Sequence, residues 1–223
     1  MNCFSGCHDH THAGLPPVAM LRRLVFFLLV APVMACGGPN PETEEDSSPP
    51  VYELDYRVTP DPSQGEVTVE LELRQSRHLL REVRFRTRRI QLIAVDGDGK
   101  IEHDGDALLW LPPAKGGKLQ WTVSVPHRRN GNGYDAWLGE GWGLFRAEDI
   151  FPGATTRTAT AARSVTRLDF DLPPDWSVVT QYPRQDAMFP VHHEQRRFRQ
   201  PQGWIVMGDL GVRRDEIAGV DVV

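Results

Sequence analysis

Every second residue from Val67 to Leu73 is a branched aliphatic, and the residues that alternate with them, Glu66, Thr68, Glu70 and Glu72, are polar. A repeat of two puts the aliphatic set on one face of an extended strand and the polar set on the other. An amphipathic helix needs a repeat near 3.6, so this stretch excludes one. Tyr52, Leu54, Tyr56 and Val58 repeat the pattern. Between the two runs lies Pro60-Asp61-Pro62-Ser63-Gln64-Gly65, a turn by composition. The spacing predicts an antiparallel strand pair over Val51–Leu73.

The same texture continues. Val83, Phe85 and Thr87, then Ile90, Leu92 and Ala94, predict a strand pair or one bulged strand, with the parity slipping near Arg88-Arg89. Asp96-Gly97-Asp98-Gly99 predicts a hairpin into Lys100–Leu111, since Asp-Gly is a strong two-residue hairpin signal. A calcium loop would need oxygen ligands where Lys100 and Ala107 stand. Lys118–Val125 alternates, and Arg128–Gly133 is a polar loop. Val165–Leu172, Trp176–Gln181, Phe189–Phe198 and Trp204–Val212 supply further strands, with one helical turn around Ala147–Ile150. About nine short strands predict an all-β domain, an antiparallel β-sandwich or an open twisted sheet. The last residues, Val220–Val223, begin another apolar run, and so abrupt an ending reads as truncation.

The N-terminal part follows other rules. Arg22 and Arg23 precede a short apolar run, Leu24–Val33, and Ala35 is small: the three parts of an export signal over 20–35. The apolar run is about half the length that a membrane-spanning helix needs. Val33-Met34-Ala35-Cys36 resembles the lipobox of bacterial lipoproteins. That resemblance implies cleavage before Cys36 and a lipid on its sulfur. Met20 then reads as the true start, and residues 1–19 as an upstream extension. Cys3, Cys7, His8, His10 and His12 within it match no common zinc spacing. Residues 37–50, GGPNPETEEDSSPP, cannot bury enough surface to order themselves and read as a disordered tether reaching roughly 20 Å, or about 40 Å when extended. The expected location is a bacterial cell envelope. Gly37, in place of the Asp that retains lipoproteins at the inner membrane of enteric bacteria, points to the outer membrane, facing the periplasm.

From Cys36 onward there are 23 Lys and Arg against 29 Asp and Glu. This acidic balance argues against a nucleic-acid partner. Cys36 is the only cysteine in that part, so no disulfide is expected.

Catalytic signatures are missing. His192-His193-Glu194 lacks the second zincin histidine, since Arg197 stands in its place, and on a strand adjacent histidines face opposite ways. There is no nucleophile elbow and no phosphate loop. Glu140, Glu148 and Asp149 offer only the acidic pairs that any loop-rich domain contains. No catalytic residue, metal ligand or cofactor is therefore expected. The densest unusual segment is residues 134–152, YDAWLGEGWGLFRAEDIFP. It collects Tyr134, Trp137, Trp142, Phe145 and Phe151 among glycines. These aromatics suit core packing, a contact surface for a ligand or second domain, or both.

At this segment the chain resembles the N-terminal β-domain of the glycyl-aminopeptidase (PDZ-containing) family of gluzincin metallopeptidases. The residues that carry the resemblance are Gly141-Trp142-Gly143-Leu144-Phe145, Phe151-Pro152 and Leu172-Pro173-Pro174-Asp175-Trp176, together with the Tyr/Val-rich opening at Val51–Val58. The family's catalytic domain, with its zinc-binding His-Glu-x-x-His, is not in this sequence. The resemblance therefore implies an accessory β-domain that packs on a catalytic metallopeptidase domain and helps wall its substrate cleft. The alternative is a stand-alone envelope lipoprotein that binds a ligand or protein partner through its sheet.

Overall fold

The computed structural model describes residues 48–127, 135–211 and 215–222. Cys36, the signal segment, the tether up to residue 47, and Tyr134 lie outside them.

The chain is all-β, with more strands than the nine expected. In order they are β1 (Val51–Asp61), β2 (Glu66–Arg74), β3 (Leu80–Arg86), β4 (Gln91–Gly97), β5 (Lys100–Asp104), β6 (Ala107–Leu111), β7 (Gly116–Ser124), β8 (Trp137–Leu138) and β9 (Trp142–Arg146). One helical turn, α1 (Ala147–Ile150), follows. Then come β10 (Ala154–Thr158), β11 (Arg163–Phe170), β12 (Ser177–Thr180), β13 (Phe189–Pro190), β14 (Trp204–Gly208), β15 (Asp215–Ile217) and β16 (Val220–Val222).

These form a six-stranded sheet in the order β13-β11-β1-β2-β7-β4 and two four-stranded sheets, β10-β3-β6-β5 and β12-β14-β9-β8. A small β15-β16 hairpin forms a sheet of its own. Pairing is antiparallel except for β1 with β11, which run parallel from Val51↔Arg163 to Val58↔Phe170.

The alternation that opened the sequence is the alternation of burial. Tyr52, Leu54, Tyr56 and Val58 of β1 face inward with Val67, Val69, Leu71 and Leu73 of β2 and Leu119, Trp121 and Val123 of β7. The expected pair is β1 with β2, joined by a turn in which the Asp61 carboxylate accepts the Ser63 and Gln64 backbone N–H groups. Phe85 of β3 meets Trp121 of β7 across the two layers, ring centroids 5.7 Å apart. One continuous core joins all three larger sheets.

The outer face of the six-stranded sheet is a lattice of charge. Arg167 bridges Asp55 and Glu53 at 2.7 Å each, and Arg74 reaches Glu53, Asp55 and Glu72. Burial works against the charged form of Asp55, but hydrogen bonds from Arg167 and Arg74 outweigh it and hold its carboxyl below the usual range. The same arginines, Arg74 foremost, lower Glu53.

Several expectations need correction. The Val83–Ala94 stretch is not one strand pair. β3 and β4 belong to different sheets, linked by a turn at residues 87–90 in which Ile90 N–H bonds the Thr87 carbonyl. The bulge falls instead inside β4, where the register with β7 shifts between Leu92 and Ala94. Asp96–Gly99 is likewise a crossing between layers and not a hairpin. Gly97 runs tight against β7, and a Cβ on Gly99 (φ +86°) would collide with the Leu111 carbonyl of β6. The Asp98 side chain accepts the Lys118 N–H at 2.9 Å while its carbonyl takes the Trp110 indole N–H at 2.7 Å. The real hairpin is β5–β6, turning at Gly105. Only Phe189–Pro190 of the expected Phe189–Phe198 strand is strand. His192 and His193 sit in the loop that follows, His192 exposed and His193 partly so. Val220–Val222 does form a strand, paired with β15.

Candidate functional site

Four of the five aromatic residues singled out above can be placed, and they divide into two pairs. β9 is short, and its residues alternate. Gly143 and Phe145 point inward, whereas Trp142, Leu144 and Arg146 point outward. Phe145 is fully buried. Phe151, just past α1, is also buried and meets Tyr56 of β1 edge to face at 5.2 Å. These two rings are core. Gly143 has no side chain because Leu138 of β8 occupies that space; a Cβ there would lie 2.8 Å from the Leu138 Cδ1.

Trp137 and Trp142 belong to the outer face. The registers place Trp137 of β8 beside Leu144 of β9, Leu144 beside Val206 of β14, and Val206 beside Val179 of β12. Directly paired residues share a face, so these four form one apolar row across the outside of the sheet, each half-buried. Trp142 stands on one side of that row and Trp204 on the other, each 48% exposed. The Arg146 guanidinium lies over the Trp204 ring, 4.9 Å from its centroid. This contrasts with the six-stranded sheet, whose outer face is ionic. Leu144, Val179, Trp204 and Val206 belong to the surface but were not singled out from sequence. The strand pairing that brings them together joins segments some sixty residues apart, and only the alternation within Trp204–Gly208 hinted at it.

α1 braces this sheet from beneath. Its buried Asp149, 4% exposed, accepts the Arg146 backbone N–H at 2.9 Å and lies 3.7 Å from the His127 Nε2. The carbonyl of Ile150, left over at the helix end, accepts the Trp121 indole N–H at 2.8 Å. Of the acidic residues weighed for catalysis, Asp149 is thus a structural brace, whereas Glu140 and Glu148 lie on the surface. Among the described residues, no group of three or more His, Cys, Asp or Glu side chains is placed to hold a metal ion.

The structure is similar to part of an aminopeptidase N family protein from Idiomarina loihiensis. Identity is 15% and the TM-score 0.55, with 75% of this chain matched to 31% of that one. The matched part is the N-terminal domain region. An M1 zinc metallopeptidase from Deinococcus radiodurans matches at 12% identity over 72% of this chain and 42% of that one. An aminopeptidase A from Legionella pneumophila matches at 12% identity over 76% and 22%. Both have TM-scores of 0.36, too low to carry an argument. No protein-family model matches the sequence, and no curated protein does. The chain therefore has an all-β fold similar to the N-terminal domain region of an aminopeptidase N family protein, in keeping with the β-domain expected from the sequence. It spans less than half the length of each of these solved structures, and 31% of the Idiomarina loihiensis protein.

Proposed function

We propose that this chain is a non-catalytic accessory β-domain of a membrane-anchored, metallopeptidase-like lipoprotein. In this reading the outer face of β12-β14-β9-β8 docks on a catalytic domain and helps form its substrate cleft. The observation that carries the reading is the apolar row Trp137-Leu144-Val206-Val179 flanked by half-exposed Trp142 and Trp204. Tryptophan is the residue most enriched at the energetic centre of protein interfaces, and a contiguous apolar patch rimmed by polar residues marks an interaction site. The fold supports the same reading, because a domain of this shape occurs within a much longer aminopeptidase N family protein. The lipobox-like Val33–Cys36 and the acidic tether after it support a place at the envelope membrane, in the periplasm.

The test is co-expression of the chain with the His-Glu-x-x-His reading frame that continues from, or neighbours, its gene. The expected result is a complex in which the amides of β9 and β14 gain hydrogen-exchange protection. Trp142→Lys with Trp204→Lys should break the complex and reduce peptide hydrolysis while the isolated domain stays folded. A locus without such a reading frame, or a catalytic domain equally active without this chain, sinks the proposal. That outcome would leave the same face to a ligand or protein partner of a stand-alone lipoprotein.

A further inference from the structure

Two adjoining crevices open where the turn at residues 87–90 meets α1. One, of about 560 Å³, is walled by Arg86, Arg88, Arg89 and Glu148; the other, of about 570 Å³, shares Arg89 and Glu148 and adds Arg146. Three arginines thus line the first crevice, on a chain whose net charge is −5.

The carboxylates nearby leave most of that charge uncompensated. On the six-stranded sheet, Arg57, Arg74 and Arg167 all have acidic partners. Here, among the described residues, no carboxylate lies within 4 Å of Arg86, Arg89 or Arg146, and Arg88 has only a loose, exposed pairing with Asp106 at 3.8 Å. Asp149 also lines the second crevice, but its side chain is turned to the Arg146 backbone N–H and His127. Among the described residues, Glu148 is the one exposed carboxylate on the wall. Like charges held together raise the energy of the fold unless a counter-charge joins them.

The backbone that carries these arginines is held in place. Arg86 N–H bonds the Gly153 carbonyl at 2.8 Å, Thr87 N–H bonds the Asp106 carbonyl at 2.8 Å, and Ile90 N–H closes the turn onto Thr87 at 3.1 Å. The Arg86 guanidinium packs against Gly153, where a Cβ would come within 2.9 Å of its Nη2. A guanidinium group matches phosphate oxygens two at a time.

We infer that this crevice binds a phosphate group, carried by a small phosphorylated molecule or by a lipid headgroup. A phosphomonoester bears about −1.5 to −2 charges at neutral pH, which suits three arginines opposed by one exposed glutamate better than a single carboxylate does. The residues that the test alters, Arg86, Arg89 and Glu148, lie outside the sheet that carries the docking face, and the inference does not depend on that role.

The full chain is titrated calorimetrically with inorganic phosphate and glycerol 3-phosphate at constant ionic strength. In parallel it is co-floated with vesicles of phosphatidylcholine alone and of phosphatidylcholine containing phosphatidic acid. Saturable binding is expected. Arg86→Gln with Arg89→Gln should weaken it about tenfold or more, and Glu148→Gln should tighten it. Opposite shifts in two variants with unchanged urea midpoints are not what a folding defect produces. Saturation by the soluble phosphates identifies a small molecule; flotation with phosphatidic acid at concentrations where free phosphate does not bind identifies a headgroup. Binding to none of the four probes, or binding that the arginine variants leave unchanged, overturns the inference.

Discussion

The indole of Trp121 ties the six-stranded sheet to the helical turn beneath the candidate interface, and its replacement by phenylalanine isolates that tie. Trp121 is 2% exposed, packs on Phe85 and donates to the Ile150 carbonyl at 2.8 Å. Phenylalanine keeps an aromatic ring but loses the N–H. The orphaned buried carbonyl costs about 1–3 kcal/mol. The ring is smaller by about 40 Å³, which at about 24 cal/mol per Å³ adds roughly 1 kcal/mol if the space does not collapse. Trp121→Phe should therefore destabilise by about 2–4 kcal/mol, or roughly 4–16 °C in melting temperature for a domain of this size. Trp142→Phe is the control, because the Trp142 ring is half exposed on the outer face of β9; its effect should stay below about 1 kcal/mol. Urea unfolding followed by far-UV circular dichroism reads both. A loss below about 1 kcal/mol for Trp121→Phe, or equal losses for the two variants, would refute the idea that α1 is held through this bond.

Two further predictions concern charge and anchoring. Asp55 and Glu53 have folded pKa values held below their ordinary 3.8 and 4.5. In acid the unfolded chain therefore takes up protons first, so stability rises with pH across this range. The contribution is complete above about pH 5 and is lost as pH falls through the lowered folded values. Arg167→Gln should flatten that acid limb in urea titrations between pH 7 and pH 3; an unchanged limb would show that the lattice is not its source. For the anchor, cells fed a fatty-acid probe should label the wild-type chain and leave Cys36→Ser unlabelled. Equal labelling of both would remove the lipoprotein assignment.

β1, β2 and β7 were legible in the sequence because each has one face in the core and one in water, so burial writes a repeat of two into the residues themselves. β4 has no such contrast. It is an edge strand whose Ile93 is exposed, and its apolar residues fall on both faces. The tetrapeptide Asp96–Gly99 carries hairpin chemistry, but its course is set by Lys118 and Leu111, partners distant in sequence. Beyond the two residues of β13, Val191 and Phe198 supply apolar contacts without a strand's hydrogen bonding. Their segment is held along β11 by single bonds, Val191 N–H to Thr166 and Arg199 N–H to the Ser164 hydroxyl. For the aromatic segment, composition located the region but did not sort it. Aromatic residues serve core and interface alike, and only the parity of β9 separates Phe145 from Trp142.

The parallel pairing of β1 with β11 has a mechanical consequence. β1 begins at Val51, next to the stretch that reads as a tether, and lies between β2 and β11 with both edges bonded over most of its length. A pull applied along the chain ahead of Val51 acts along this strand and loads the hydrogen bonds on both sides together, in shear, where an edge strand peeled from the side would release them one at a time. A domain hung by that end would resist extraction through the strand that it is hung by.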